Sequence, residues 1–420
     1  MPLILTLAIS LQVIVGFSIT HGPLIGDLTS DSVRIWVRSD TPNMVQLSIS
    51  GIEQNFCAQS LNETDNTVTI VANGLKPETR YEYSINGKHQ ASWFFTTRPE
   101  FDSTATIAFG SCANEKEGSS KVWNRIDKDT VDALVLLGDT PYIDTTDLQI
   151  QRKRYQEFAA VPAFSNLVSH TPLYCTWDDH DFGRNDTDGN LEGKEHSRQA
   201  FTENRPNPSF GEGNQGIYTS FVQGPVEVFL LDARWFAKTE ISENNIPTLL
   251  GKQQWAWLEL SLKASTSPYK ILACGMIFNG ATRPGKTDCW GKYPTEYYRL
   301  LSIIKRNAIS GVILVSGDIH WSRVIKHDTA SKIGYDLIEF ITSPIHEKLI
   351  SAANASHAGD LFSVGEINSY LLLEAKNTTE QQTLSMKIRN ASGETLFEFV
   401  FETPPQKETH EINRKIIGYR

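Results

Sequence analysis

Three acidic turns, each following directly on a short apolar run, limit what this chain can fold into. They are Gly138-Asp139-Thr140-Pro141-Tyr142 after residues 133–137, Asp178-Asp179-His180-Asp181 after residues 173–177, and Gly317-Asp318-Ile319-His320 after Val312–Ser316. Apolar runs this short and this rich in branched side chains read as buried parallel strands. Carboxylates at the ends of several such strands meet at one sheet edge, where open α/β sheets bind their ligands. Asp, His, Tyr and Asn gathered there make a chemistry suited to metal ions. A metal-dependent hydrolase is the reading this predicts.

The spacing of strands and helices divides the chain. Residues 21–101 hold alternating segments at 32–38, 44–49, 67–71, 81–85 and 92–97, with a hairpin signal at Asn86-Gly87. That pattern, without helical periodicity, predicts a small β-sandwich. Over 102–376 strands alternate with helices expected at 119–128, 147–160, 252–264 and 295–308, the mark of a layered α/β domain. Strands are expected at 106–109, 133–137, 173–176, 226–231, 271–277 and 312–315. Residues 186–216, dense in Gly, Asn, Asp and Pro, read as a long surface loop. The pattern returns to strands after 335, and 377–420 is expected to hold C-terminal strands and a charged tail.

Charge and cysteine content narrow the function classes. The net charge of -10 over 420 residues is spread along the chain, with no contiguous basic segment to follow a nucleic-acid backbone. Residues 1–17 are almost wholly apolar and uncharged, and Gly16 and Ser18 have the -3/-1 spacing of a signal-peptidase site. The stretch is shorter than the ~20 residues of a spanning helix. A signal peptide over 1–20 is therefore expected, giving a secreted or periplasmic protein with no anchor after cleavage; an uncleaved anchor is the alternative. The five cysteines (Cys57, Cys112, Cys175, Cys274 and Cys289) form an odd set, and Cys274 with Cys289 is a possible bridge. Cys112, in Gly110-Ser111-Cys112 after a strand, is the candidate for a chemical task, with a small buried hydrophobe as the ordinary alternative for a lone cysteine.

The turns specify the chemistry further. Asp139 can bridge two cations, because both carboxylate oxygens are available. Tyr142 can join the cluster only as a phenolate, which favours a hard, highly charged ion such as Fe(III). Asn185 offers an amide oxygen suited to a hard divalent ion. Asp318 and His320, two residues apart, share a face of an extended segment. So many carboxylates repel one another unless cations screen them or some are protonated.

In order along the chain stand Gly-Ser-Cys112, Gly-Asp139-x-x-Tyr142, Trp-Asp-Asp-His180-Asp-Phe-Gly-x-Asn185-Asp and Ser-Gly-Asp318-x-His320-Trp-Ser. This set resembles the PhoD-type alkaline phosphatase and phosphodiesterase family of the calcineurin-like metallophosphoesterases. Leu231-Asp232-Ala233-Arg234 and the stretch from Gln253 to Leu258 agree with it. The resemblance implies an α/β fold: a four-layer α/β/β/α sandwich behind an Ig- or fibronectin-like domain. It implies Fe(III) beside one or two Ca(II) ions, with Cys112, Tyr142 and His320 serving iron, Asp139 bridging, and Asn185 and Asp318 serving calcium. Hydrolysis of a small-molecule, lipid or polymer phosphoester by a metal-activated water follows from the family. His180 is then expected to hold phosphate or assist the leaving group, or else only to orient Asn185. Arg234 is expected to clamp phosphate, or else to close a structural salt bridge. Two features depart from the family: no arginine precedes Arg34, so a twin-arginine export signal is missing, and Ser343-Pro344-Ile345-His346 differs in detail. A phosphodiesterase of the phospholipase D type and a non-catalytic, metal-stabilised secreted binding module are the competing readings.

Overall fold

The computed structural model describes residues 17–239 and 247–405. Residues 1–16 of the apolar leader lie outside that range, and Ile19 already begins the first strand, Ile19–Gly26. That strand pairs with Ser32–Ser39 and, through it, with Thr67–Asn73. A second antiparallel sheet holds Phe56–Gln59, Met44–Ile49, Arg80–Ile85 and Phe94–Thr96. Val33, Ile35 and Val37 from the first sheet meet Val45, Leu47, Tyr83 and Ile85 from the second in one apolar core. Inward residues alternate with outward ones, as a sandwich of two sheets requires.

The remainder is built on two larger sheets stacked face to face. One has six strands in the order Leu173–Cys175, Ala133–Leu136, Thr104–Gly110, Ser369–Asn377, Gln382–Asn390 and Thr395–Phe401. Its first three strands are parallel and its last three antiparallel. The other has seven, ordered Thr219–Gln223, Val226–Leu230, Tyr269–Ala273, Val312–Ser316, Leu337–Ile341, Ser322–His327 and Asp360–Val364, with four consecutive parallel strands at its centre. Ile107, Phe109 and Val135 of the first sheet meet Val228, Ile271, Ile313 and Phe340 of the second in a dry interlayer. Helices Glu117–Asp129, Leu148–Ala159 and Pro162–Val168 cover the outer face of the first sheet. Helices Gly251–Ala264 and Pro294–Arg306 cover that of the second. The four-layer α/β/β/α sandwich is thus present, and the strands after Asn377 complete its first sheet.

Four expectations are corrected. The segment 186–216 contains a helix, Lys194–Asn204, whose Ala200 and Phe201 are buried in the core beside Trp177. The strand expected over 271–277 stops at Ala273, and the chain continues as a loop. Asp179–Phe182 is a single helical turn rather than an open turn, with the Asp181 carboxylate returning to the Asp178 backbone N–H at 2.5 Å. All five cysteines are unbridged: the buried Cys274 thiol donates to the Met276 carbonyl instead of reaching Cys289.

The sandwich is locked onto the layered domain by Trp36. Its indole is buried with Trp177, Phe201 and Trp235 in the core under the first sheet, and its Nε1–H donates to the Glu203 carbonyl at 2.6 Å. Tyr83 makes a second such bond, to the Ser169 carbonyl at 2.6 Å. Trp36→Ala should therefore cost about 3–5 kcal/mol of stability, as a large core aromatic does. Chemical denaturation would show it, and a variant losing under about 1 kcal/mol would mean that the two units do not share a core.

Candidate metal centre

Parallel strands of both sheets end at one edge, and that edge carries the polar residues. Thr104–Gly110 leads to Cys112, Ala133–Leu136 to Asp139 and Tyr142, and Leu173–Cys175 to Asp178 and Asp179. From the second sheet, Val226–Leu230 leads to Asp232 and Arg234, Val312–Ser316 to Asp318 and His320, and Leu337–Ile341 to Ser343 and His346. The turns are tight. Gly138 has φ +105°, and a Cβ there would lie 2.3 Å from the Asp178 backbone nitrogen, so only glycine lets the first two acidic turns touch. Cys112, Asp139, Asp318 and His320 all have φ between 53° and 67°, a region that non-glycine residues occupy at a cost. Strain repeated at four neighbouring polar positions marks a built site.

One half of the centre gathers a thiol, a carboxylate, a phenol and two imidazoles. Cys112 Sγ lies 3.5 Å from Asp139 Oδ2 and accepts from Ser343 Oγ at 3.2 Å. Tyr142 Oη lies 2.9 Å from His320 Nε2 and 3.0 Å from His346 Nε2. The backbone N–H of Lys348 donates to His346 Nδ1, so the ring's proton sits on Nε2 and points at the Tyr142 oxygen. Ligand atoms of Cys112, Asp139 and His320 all come within 4.8 Å of one another. Burial, with the Asp139 charge beside it, pushes the Cys112 thiol well up. Burial, then Cys112 and Asp139, does the same to the Tyr142 phenol. Burial and then Asp179 and Asp178 raise Asp139. His320 is lowered to about 3, first by burial and then by His346, which keeps its ring neutral and fit to ligate.

The other half is carboxylates. Asp139, Asp178, Asp179 and Asp318 form one close group, and Asp179, Asp186 and Asp288 another. Arg234, fully buried, donates Nε to Asp178 Oδ1 at 2.7 Å and lies 2.7 Å from Asp288 Oδ2. Lys286 Nζ sits 2.9 Å from Asp318 Oδ2 and 2.9 Å from Asp186 Oδ1. Burial would raise Asp179, but Arg234, His180 and Lys286 hold it at about 2. Even so, Asp139 Oδ1, Asp178 Oδ2 and His320 Nδ1 are buried with no hydrogen-bond partner. Orphaned acceptors of that kind cost several kcal/mol unless a cation meets them. The donor set and its orphans fit bound metal.

A family model described as PhoD-like phosphatase matches residues 107–391, which hold most of both large sheets and every residue of this centre. The chain belongs to the PhoD-like phosphatase family. Alkaline phosphatase D of Bacillus subtilis (strain 168) is 24% identical over 398 residues, covering 76% of this chain and 68% of that protein. A solved structure of PhoD superposes with a TM-score of 0.74 at 19% identity, covering 93% of this chain and 92% of the other. A purple acid phosphatase from yellow lupin seeds superposes at 0.66 and 13% identity, over 90% and 73%. As a PhoD-like phosphatase the protein is a metal-dependent phosphoric ester hydrolase with a calcineurin-like fold.

Within this PhoD-like centre the expected residues fare unequally. Cys112, Asp139, Tyr142, Asp318 and His320 come together. His180 joins them: it forms a close group with Asp139 and Asp179, and its Nδ1 is 2.5 Å from Asp144 Oδ1. Asn185 stands exposed in the turn that follows. Arg234 favours the salt-bridge reading over the phosphate clamp, since Asp178, Asp288 and the Thr187 carbonyl take up its donors in the interior. The two flanking stretches support it: Asp232 accepts from the Trp177 indole at 2.7 Å and exchanges two hydrogen bonds with Gln254. Sequence reasoning missed Asp288, Lys286 and His346. Asp288 and Lys286 lie in the loop beyond Ala273, where no periodic pattern marks a residue for a role.

Ligands bind metal in their deprotonated forms, while burial holds protons on Cys112, Asp139 and Tyr142. Metal uptake should therefore release protons, and apparent affinity should rise with pH. Calorimetric titration in buffers of different ionisation heat measures this. Uptake heat independent of buffer would contradict it.

Proposed function

We propose that this phosphatase works at an iron–calcium centre, with Fe(III) on Cys112, Tyr142 and His320, Asp139 bridging, and Ca(II) on Asp318 and Asn185. The observation that carries the reading is a buried thiol, a half-buried phenol and a neutral imidazole around one carboxylate with an orphaned oxygen. Thiolate and phenolate suit a trivalent ion, and the carboxylates suit a hard divalent one. Asp179, in one close group with Asp139 and Asp318, would be a further carboxylate ligand. When bound, such ions supply Lewis acidity toward the phosphoryl group and lower the pKa of water.

The chain's own residues supply the rest. His346 directs Nε2–H at the Tyr142 oxygen, which favours the phenolate form that a metal requires. His180 is 22% exposed by side chain, at the open side of the cluster. Burial alone would lower its pKa, but Asp144 and Asp179 raise it above the ordinary imidazole value. A protonated imidazole there can bind a phosphoryl oxygen or give its proton to the departing alkoxide. Arg234 keeps the Asp178 side of the cluster in place from behind.

We read the apolar N-terminal stretch as a signal peptide, which would direct the protein to the secreted or periplasmic space. Among the described residues no helix is long and apolar enough to cross a membrane.

Hydrolysis of p-nitrophenyl phosphate and of bis-p-nitrophenyl phosphate tests the reading and assigns monoester or diester preference. Asp139→Ala should lose roughly a thousandfold or more in kcat/KM, because one side chain serves both ions. Turnover in Asp139→Ala equal to that of the wild type would refute the assignment.

A further inference from the structure

A cluster rich in carboxylates needs positive charge, and this chain supplies part of it from its own side chains. Lys286 lies in the loop that follows the strand Tyr269–Ala273, and its side chain is 3% exposed. Its ammonium is 2.9 Å from Asp318 Oδ2, 2.9 Å from Asp186 Oδ1 and 3.7 Å from Asp288 Oδ2. It thus meets three carboxylates from three different loops, as a divalent cation would. Arg283, one turn earlier in the same loop, adds a weaker contact to Asp318 at 4.0 Å. No cationic side chain makes such a contact to Cys112, Asp139 or Tyr142 among the described residues. The two halves of the centre therefore differ: one has a built-in cation and the other has none.

We infer that Lys286 is an internal counter-ion that competes with the second metal ion, so that this centre holds iron tightly and calcium weakly and exchangeably. The inference rests on the two-metal reading above and assigns a determinant of metal occupancy within it. A dication held by Asp318 must displace or approach the ammonium that already contacts that carboxylate at 2.9 Å, and the repulsion between the two is strong at low dielectric. The iron half lacks this opposition. A lysine suits the task better than an arginine, because a compact ammonium on a flexible stem can leave the carboxylates when calcium arrives.

Calcium titration of the full chain by calorimetry, in the wild type and in Lys286→Gln and Lys286→Arg, tests this. Lys286→Gln should bind calcium roughly tenfold or more tighter than the wild type, and Lys286→Arg should bind no tighter. Calcium should also lift the thermal midpoint of Lys286→Gln further than that of the wild type, which keeps the test decisive if the variant is destabilised. Equal calcium affinity and an equal thermal shift in wild type and Lys286→Gln would overturn the inference. Iron content of the same samples reads separately: its absence from the wild type would contradict the iron assignment and leave the calcium comparison standing.

Discussion

Carboxylates crowded into a buried space repel one another, and much of this molecule is arranged around that fact. Asp139, Asp178, Asp179 and Asp318 lie within a few ångströms of each other at the end of two sheets, nearly or fully out of solvent. Such a group persists only with positive charge inside it, or with protons on some members. The chain contributes Arg234 behind the cluster and Lys286 beside it, and the orphaned oxygens of Asp139 and Asp178 require more. Metal ions would satisfy that requirement, and bound by Cys112 and Tyr142 they would favour the deprotonated thiol and phenol.

The fold makes the crowding possible. Parallel strands of both sheets end on the same side, so loops far apart in sequence arrive at one place. The interlayer of Ile107, Val135, Val228 and Ile313 fixes the sheets against each other, which fixes the distance between Asp139 and Asp318. Left-handed backbone at Cys112, Asp139, Asp318 and His320 aims four side chains inward. That strain is offset by packing elsewhere, including the contact that Trp36 of the N-terminal sandwich makes with the layered domain.

Legibility in the sequence followed the strength of the local signal. The acidic turns stood out because each interrupts an apolar run, and Gly138 and Gly317 mark turns that no other residue could make. Most helices and strands appeared within a few residues of their positions. Lys194–Asn204 was hidden because its inner face includes Ser197, Glu203 and Asn204, so its periodicity is blurred. Lys286 and Asp288 were hidden because a loop has no period at all, and their role comes only from the fold bringing Asp186 and Asp318 to them. Cys112 had no local signal beyond its place after a strand; its chemistry came from the resemblance. Arg234 shows the limit in the other direction, since a motif can mark a buried support as readily as a catalytic group.

Iron at the cysteine–tyrosine half is the claim on which the rest turns. Elemental analysis with the visible spectrum of the purified wild-type protein tests it in one sample. About one iron per chain and a charge-transfer band from thiolate and phenolate ligation are expected. A colourless protein that is active but iron-free would contradict it.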